Sequence, residues 1–300
     1  MRHAVSISLG SSKRNKKVEV TLLGEKVIIE RLGTDGDMEK AAQMYKEMDG
    51  TVDAFGVGGA DLGVMADTKW YPVHSVEPMV RFVKQTPLVD GAGVKNTLER
   101  RVAAFIEKNI GAEIQPKRVL FTAGVDRWGM TKSFLDANYE CVFGDLMFAL
   151  DIPIPIRSEA ALKRLAAILM PVVGRMPFEM LYPTGEKQEK NTPKFGKWYA
   201  WGTVIAGDCH FIKRFMPARL DGKTICTNTT TLEDVQIFRA AGVRHLVTTT
   251  PVMEGRSFGT NMIEAALIAV SGKGRKLTLD ELNGLLDKLG FQPQWQRLNE

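Results

Sequence analysis

Residues 118–145, RVLFTAGVDRWGMTKSFLDANYECVFGD, constrain the fold more than any other stretch. A short apolar run ends in a glycine turn, a helical segment follows, and a second apolar run ends on an acid. Two parallel strands joined by a helical crossover satisfy that order, which calls for a covered parallel sheet. In the dinucleotide fingerprint GxGxxG the glycines supply a tight turn, close approach of the pyrophosphate, and helix-to-strand packing. Here Gly124 and Gly129 hold the first and third places, and Asp126 holds the middle one. Asp126 sets a negative charge where a phosphate would meet a helix N-terminus. At about 4 Å and an effective dielectric near 20, two like charges repel by about 4 kcal/mol. The neighbouring Arg127 is a cation that can compensate, and Asp126 can equally be a helix N-cap. Asp145 lies 21 positions past Gly124, where an acid normally bonds the ribose hydroxyls. A carboxylate there favours NAD over NADP, because it repels a 2′-phosphate. The stretch therefore predicts a nucleotide-binding αβ domain that takes NAD, or no cofactor if Asp126 has closed the loop.

The flanking sequence has two rhythms. AVSISL, KVEVTLL and KVIIERL read as strands with an early hairpin, followed by a helix over 38–48 and an apolar run at VDAFGVGG. NTLERRVAAFIEKNI has helical spacing of Leu98, Val102, Phe105, Ile106 and Ile110, and reads as a connector. After Pro116, strand and helix patterns alternate through TVIAGD, TICTNT, TLEDVQIFRAAG and VRHLVTTT. The expected fold class is α/β. Residues 1–112 form a mixed α/β substrate domain with the connector, and 113–258 a Rossmann-like, doubly wound parallel-sheet domain. Residues 259–300 are expected as C-terminal helices packing back on the first domain.

Composition excludes several classes. Three cysteines, scattered and without a CxxC pair, support neither a disulfide framework nor a structural zinc site, so no metal is expected. No apolar run reaches the roughly 18 residues of a membrane helix, and the apolar start is too short for a signal peptide. The expectation is a cytoplasmic protein. The formal charge of +5 favours small anionic substrates. The basic residues are dispersed except in SSKRNKK, so nucleic acid is not called for, and self-association is left open.

Candidate chemistry concentrates in TPLVDGAGVKNTLERR, residues 86–101, where Asp90, Lys95, Asn96 and Thr97 surround a glycine turn. A lysine can carry the hydroxyl proton of an alcohol/ketone pair while the aspartate orients the substrate. The same spacing also suits a helix cap with a surface ion pair. VDAFGVGGADLG is a second glycine-rich turn. Cys209–His210 follows a strand end, where His210 can touch a substrate. The segment 186–201 reads as a lid or an ordinary surface loop, and 248–261, with Arg256 and Asn261, as an anion grip or a cap.

The order of these parts is similar to that of the shikimate and quinate dehydrogenases, among which closely similar bacterial proteins are labelled quinate 5-dehydrogenase. DGAG at Asp90–Gly93 resembles the family's NTDGxG motif, and SISLGSS resembles its serine-bearing substrate loop. The resemblance implies an NAD(P)-dependent oxidoreductase acting on a small hydroxylated carboxylic acid. Asp90 would be catalytic, and Ser6, Ser8, Asn96, Thr97 and His210 would face the substrate. The family's lysine lies upstream of its aspartate, where VGGADLG has none, so Lys69 or Lys95 would substitute. Gly124, Asp126, Arg127, Gly129 and Asp145 would line the cofactor site. The alternative is a non-catalytic nucleotide-binding or sensor protein on a dehydrogenase-derived scaffold.

Overall fold

A computed structural model describes residues 1–182, 191–253 and 256–300. In chain order the first elements are β1 (Arg2–Ser8), β2 (Lys16–Leu22), β3 (Glu25–Gly33), α1 (Met38–Met48), β4 (Ala54–Gly58), β5 (Gly63–Ala66), β6 (Lys69–Pro72), α2 (Glu77–Val80), β7 (Leu88–Val89) and α3 (Ala92–Thr97). Then come α4 (Val102–Ile110), β8 (Arg118–Phe121), α5 (Trp128–Asp136), β9 (Glu140–Phe143), α6 (Glu159–Val173), α7 (Phe178–Leu181), α8 (Gly196–Trp201) and β10 (Val204–Gly207). The last are α9 (Cys209–Phe215), β11 (Thr224–Thr227), α10 (Leu232–Ala240), β12 (His245–Thr248), β13 (Val252–Met253), β14 (Arg256–Ser257), α11 (Thr260–Ser271), α12 (Leu279–Lys288) and β15 (Gln294–Arg297). The fold is mixed α/β with parallel sheets. The chain divides into two compact units, Met1–Val94 with Ile168–Gln188 and Phe258–Gly290, and Lys95–Ala167 with Glu189–Ser257 and Phe291–Glu300.

The first unit is built on a sheet ordered β2-β3-β1-β4-β7, parallel except for the β2–β3 hairpin. Alternation along β1 sends Val5 and Ile7 to one face and Ala4, Ser6 and Ser8 to the other. Phe55 and Val57 of β4 join Val5 and Ile7 in a core with Ala41 and Tyr45 of α1. The Tyr45 hydroxyl donates to the carbonyls of Ile7 and Gly56, which satisfies it inside the core. The opposite face is covered by α11, which packs on β1, β3, β4 and β7. Nine of its twelve residues are buried, so α11 is a core helix rather than a surface one.

The second unit carries a sheet ordered β15-β12-β11-β10-β8-β9, in which only β15 is antiparallel. Numbered by sequence from β8, its parallel strands run 2-1-3-4-5, a doubly wound order whose direction reverses between β8 and β10. VIAG, TICT and HLVT are buried throughout, the pattern of parallel strands covered on both faces.

Three boundaries differ from expectation. The connector stretch is two helices, α3 and α4, with a 3-10 turn at Glu99–Arg101 between them. It falls in the second unit from Lys95 on, because Val102, Ile106 and Ile110 face α5 and the Ala103 amide donates to Ser133 Oγ at 2.8 Å. Residues 168–182 belong to the first unit, where the Gly174 carbonyl accepts the His74 amide. Residues 294–297, expected among C-terminal helices, form the exposed edge strand β15. QWQR has no apolar alternation to announce it. Among the described residues no helix is long and apolar enough to cross a membrane.

Candidate functional site

The first unit gathers its polar side chains at the carboxyl ends of β1, β3, β4 and β7. Ser6 and Ser8 share a face of β1 and are 2% and 4% exposed. In the sheet Ser6 stands between Arg31 and Gly56, and Ser8 between Gly33 and Gly58. These glycines leave room for chain rather than side chain. A Cβ on Gly58 would meet Ser8 Oγ at 2.9 Å, and one on Gly56 would meet the Asn261 carbonyl oxygen at 2.9 Å. Asn261, in the first turn of α11, donates to Ser6 Oγ at 2.7 Å. Ser8 Oγ accepts from Arg31 Nη2 at 2.9 Å and from the Gly10 amide at 3.1 Å. Both hydroxyls act as acceptors here, so each keeps its own proton to donate to an oxyanion. Among the described residues no carboxylate forms a salt bridge with Arg31; burial, then the charge of Arg14, lowers its pKa to about 10 against the pull of Asp35.

Asp90 follows β7 and is 6% exposed. It accepts the Leu62 amide at 2.8 Å and the Ala92 amide at 3.0 Å. The second bond is the capping arrangement at the start of α3, and the first ties the 59–62 turn to β7. Gly91, at φ +95°, passes so close to Thr260 and Asn261 that no side chain fits. Gly91 thus brings the Asp90 turn against Asn261, which in turn bonds Ser6. Beside it Glu264 is buried, accepting the Gly93 and Val94 amides at 2.8 and 3.3 Å. Burial, then Asp90, pushes its carboxyl up to about 7. Lys69 is exposed, its ammonium 5.0 Å from the Tyr71 ring centroid, and Lys95 Nζ is bound at 2.9 Å by Asp126.

In the second unit, Asp126 and Arg127 sit in the β8–α5 loop and Asp208 follows β10, at the reversal point of the strand order. Arg127 is the hub. It reaches Glu99 at 2.7 Å, Asp208 at 2.8 Å and Asp126 at 3.2 Å. Asn228 donates to Asp208 at 2.9 Å. Lys95 is 8% and Asp126 30% exposed at the side chain. Burial raises Asp126, but Lys95 and then Arg127 outweigh it and hold the carboxyl at about 2. Glu99 is fully buried, its Oε2 without a hydrogen-bond partner among the described residues, and burial pushes its carboxyl up against the pull of Arg127 and Lys95. Sequence reading missed Glu99 and Asp208. The signal for Glu99 was a charge on the buried stripe that continues through Val102, Ile106 and Ile110.

The fingerprint loop does not fit a pyrophosphate as folded. Its amides are taken: Asp145 accepts Gly124 N at 3.0 Å and Val125 N at 2.9 Å. That carboxylate stands where the loop of a dinucleotide site receives its anion, and burial raises it to about 6. A Cβ on Gly124 would lie 2.7 Å from the Phe143 ring, and one on Gly129 would collide with the Lys95 carbonyl oxygen. Both glycines therefore serve packing between elements of the chain. Among the remaining expected residues, Thr97 is buried and Asn96 half-buried at the end of α3. His210 is exposed, its amide donating to the N-cap Asp208 at 2.9 Å. Burial pushes the Cys209 thiol well above its ordinary value, so it is no thiolate. Of the segment 186–201, residues 186–190 lie outside the described residues, and Trp198 and Tyr199 of α8 are buried. The Arg256 side chain also lies outside them. Among the described residues no group of three or more His, Cys, Asp or Glu could hold a metal ion.

The chain belongs to the family defined by the domain of unknown function DUF8754, whose model matches residues 93–298. A second domain of unknown function, DUF8753, matches residues 3–90. No curated protein matches the chain by sequence. Three solved structures are similar at low identity. An NAD-dependent malic enzyme from Thermotoga maritima is 12% identical, over 95% of this chain and 75% of that one, with a TM-score of 0.39. A putative malic enzyme (malate oxidoreductase) is 13% identical, over 95% and 76%, with a TM-score of 0.38. A malic enzyme from Entamoeba histolytica is 11% identical, over 93% and 60%, with a TM-score of 0.38. Likeness this distant carries no conclusion about activity.

Proposed function

We propose that the chain binds a small hydroxylated carboxylic acid at the strand ends of the first unit and acts on it as an oxidoreductase. The observation that carries this reading is the cluster of buried Ser6 and Ser8 with Arg31, Asn261 and Asp90. It supplies hydroxyl donors and a guanidinium for a carboxylate, and a carboxylate for a hydroxyl. Ser8 and Arg31 would grip the acid's carboxylate, with Ser6 held in line by Asn261. The two backbone amides on Asp90 leave it lone pairs for a substrate hydroxyl. Oxidation of that carbinol releases a hydride and a proton. The hydride needs a two-electron acceptor, which would have to be held elsewhere than the β8–α5 loop, because Asp145 fills the place of a pyrophosphate there. The resemblance to shikimate and quinate dehydrogenases narrows the acid to a polyhydroxylated ring acid such as quinate.

A second reading, binding without turnover as in a sensor, is favoured by one observation: Asp145 on the Gly124 and Val125 amides. Calorimetric titration with quinate, shikimate and lactate tests the binding common to both readings. Reduction of NAD, NADP or an artificial two-electron acceptor in the presence of the acid that binds then separates them. Turnover supports the oxidoreductase, binding without turnover supports the sensor, and no binding of any acid overturns both.

A further inference from the structure

The loop SSKRNKK, the chain's one compact basic cluster, ends beside the Ser8 hydroxyl. A Cβ on Gly10 would lie 2.9 Å from Arg31 Nη2, 3.2 Å from Arg14 Nη2 and 3.3 Å from Ser8 Oγ, so two guanidiniums converge on one glycine. Arg31 is held there by the Ser11 carbonyl at 3.0 Å and by Ser8. Arg14 ends the 3-10 turn Ser12–Arg14, whose N-cap Ser11 accepts the Lys13 amide. Among the described residues neither arginine has an ion-pair partner. Asp35, which stays ionised and acts on Arg31 at longer range, accepts the Ser12 amide at 2.8 Å and forms no salt bridge with either arginine. Two like charges brought this close, with a carboxylate acting only at longer range, cost energy that a directly bound anion would recover. One carboxylate is matched by one guanidinium fork, so two forks at one point match two negative charges.

We infer that Arg14 and Arg31 form a dianion subsite, and that the ligand of this cluster carries a second anionic group, a carboxylate or a phosphate, beyond the acid itself. The inference rests on the hydroxy-acid reading above and, within it, favours a dicarboxylic or phosphorylated hydroxy acid over the monoanionic quinate. Ser8 and Arg31 hold the first oxyanion, while Arg14 swings from the surface to close on the second.

Calorimetric titration of the full chain with two matched pairs tests this: lactate against malate, and glycerate against 3-phosphoglycerate. Each dianion is expected to bind about 10–100-fold more tightly than its monoanion, and the pair with the larger ratio identifies carboxylate or phosphate as the second group. Arg14→Gln should remove that advantage and leave monoanion binding unchanged, and Arg14→Lys should restore part of it. Arg14 is exposed, and an unchanged melting temperature shows that the variant folds. Equal affinity for dianion and monoanion, or a dianion preference that survives Arg14→Gln, overturns the dianion subsite and leaves the hydroxy-acid reading standing. Failure of all four acids to bind overturns the dianion subsite, and failure of quinate and shikimate as well overturns the hydroxy-acid reading.

Discussion

Asp90 shows how a side chain in a candidate catalytic position is also a structural one. Its two oxygens each accept a backbone amide, from Leu62 and Ala92. Asp90→Asn can keep one of those bonds, but it must turn an NH2 toward the other amide. The expected cost is about 1–3 kcal/mol, the worth of a buried donor left without a partner. Thermal melting of the variant checks this, and an unchanged melting temperature would show that these bonds contribute nothing. Glu264 adds a dependence on pH. Its folded pKa of about 7 stands above the ordinary value of 4.5 because burial and then Asp90 disfavour its charge. From about pH 4.5 to 7 the unfolded chain has lost this proton while the folded chain keeps it, so stability falls as pH rises through that window. The size is on the order of 3 kcal/mol. Glu264→Gln, which can still accept the Gly93 and Val94 amides, should flatten the loss in melts at pH 5 and pH 8. A parent and variant with the same slope would remove Glu264 as its cause.

At the scale of elements, the β8–α5 loop binds its own anion. Asp145→Ala should free the Gly124 and Val125 amides and destabilise the chain by about 1–3 kcal/mol. If the loop keeps its shape, those amides are left facing a place for an oxyanion at the start of α5. Inorganic phosphate at millimolar concentration should then raise the melting temperature of the variant and not that of the parent. An equal response from both would show that the loop collapses without Asp145. Asp126→Gly, the change that restores the glycine fingerprint, takes the partner from a lysine that is 8% exposed. It should cost on the order of 2 kcal/mol, less than a fully buried pair because Asp126 is partly exposed, and should bring no NAD binding while Asp145 remains. Thermal melting and calorimetry with NAD read both halves. NAD binding by Asp126→Gly would show that Asp145 yields to a pyrophosphate.

These elements also mark how far the sequence reads. α1 was legible to the residue, and β8, α5, β9, β10, β11, α10 and β12 each lie within a stretch whose periodicity announced it. Local pattern determines those elements because each buries a face of its own. The pairing of β1 between β3 and β4 has no local signal, and neither has the turn of Asp145 toward the loop, since an acid at that place reads the same whichever amide or hydroxyl it faces. Ser6 and Ser8 were singled out only by the resemblance of SISLGSS to a serine-bearing substrate loop. Arg31 was missed although it left a trace: Val27, Ile29 and Arg31 share a face of β3, so a charge stands in a buried register.

At the scale of the whole molecule, chain order and folding order part company. The two family models meet near Asp90, at residues 90 and 93, and the first unit of the structure also breaks after Val94. A fragment of residues 1–93 would therefore look like a natural domain. It would lack α11, however, whose Met262, Ile263, Leu267 and Ile268 are at most 4% exposed. Burying four such side chains stabilises by roughly 6–12 kcal/mol, as much as the whole stability of an ordinary domain. Without α11 the face of β1 and β4 that carries Ser6 and Ser8 also lies open, and Ser6 loses Asn261. The fragment should give a circular dichroism spectrum without cooperative melting and should aggregate on concentration. Joining residues 258–290 to it through a flexible linker should restore a cooperative melt. A fragment of residues 1–93 that melts cooperatively alone would show that α11 covers this sheet without being needed to fold it.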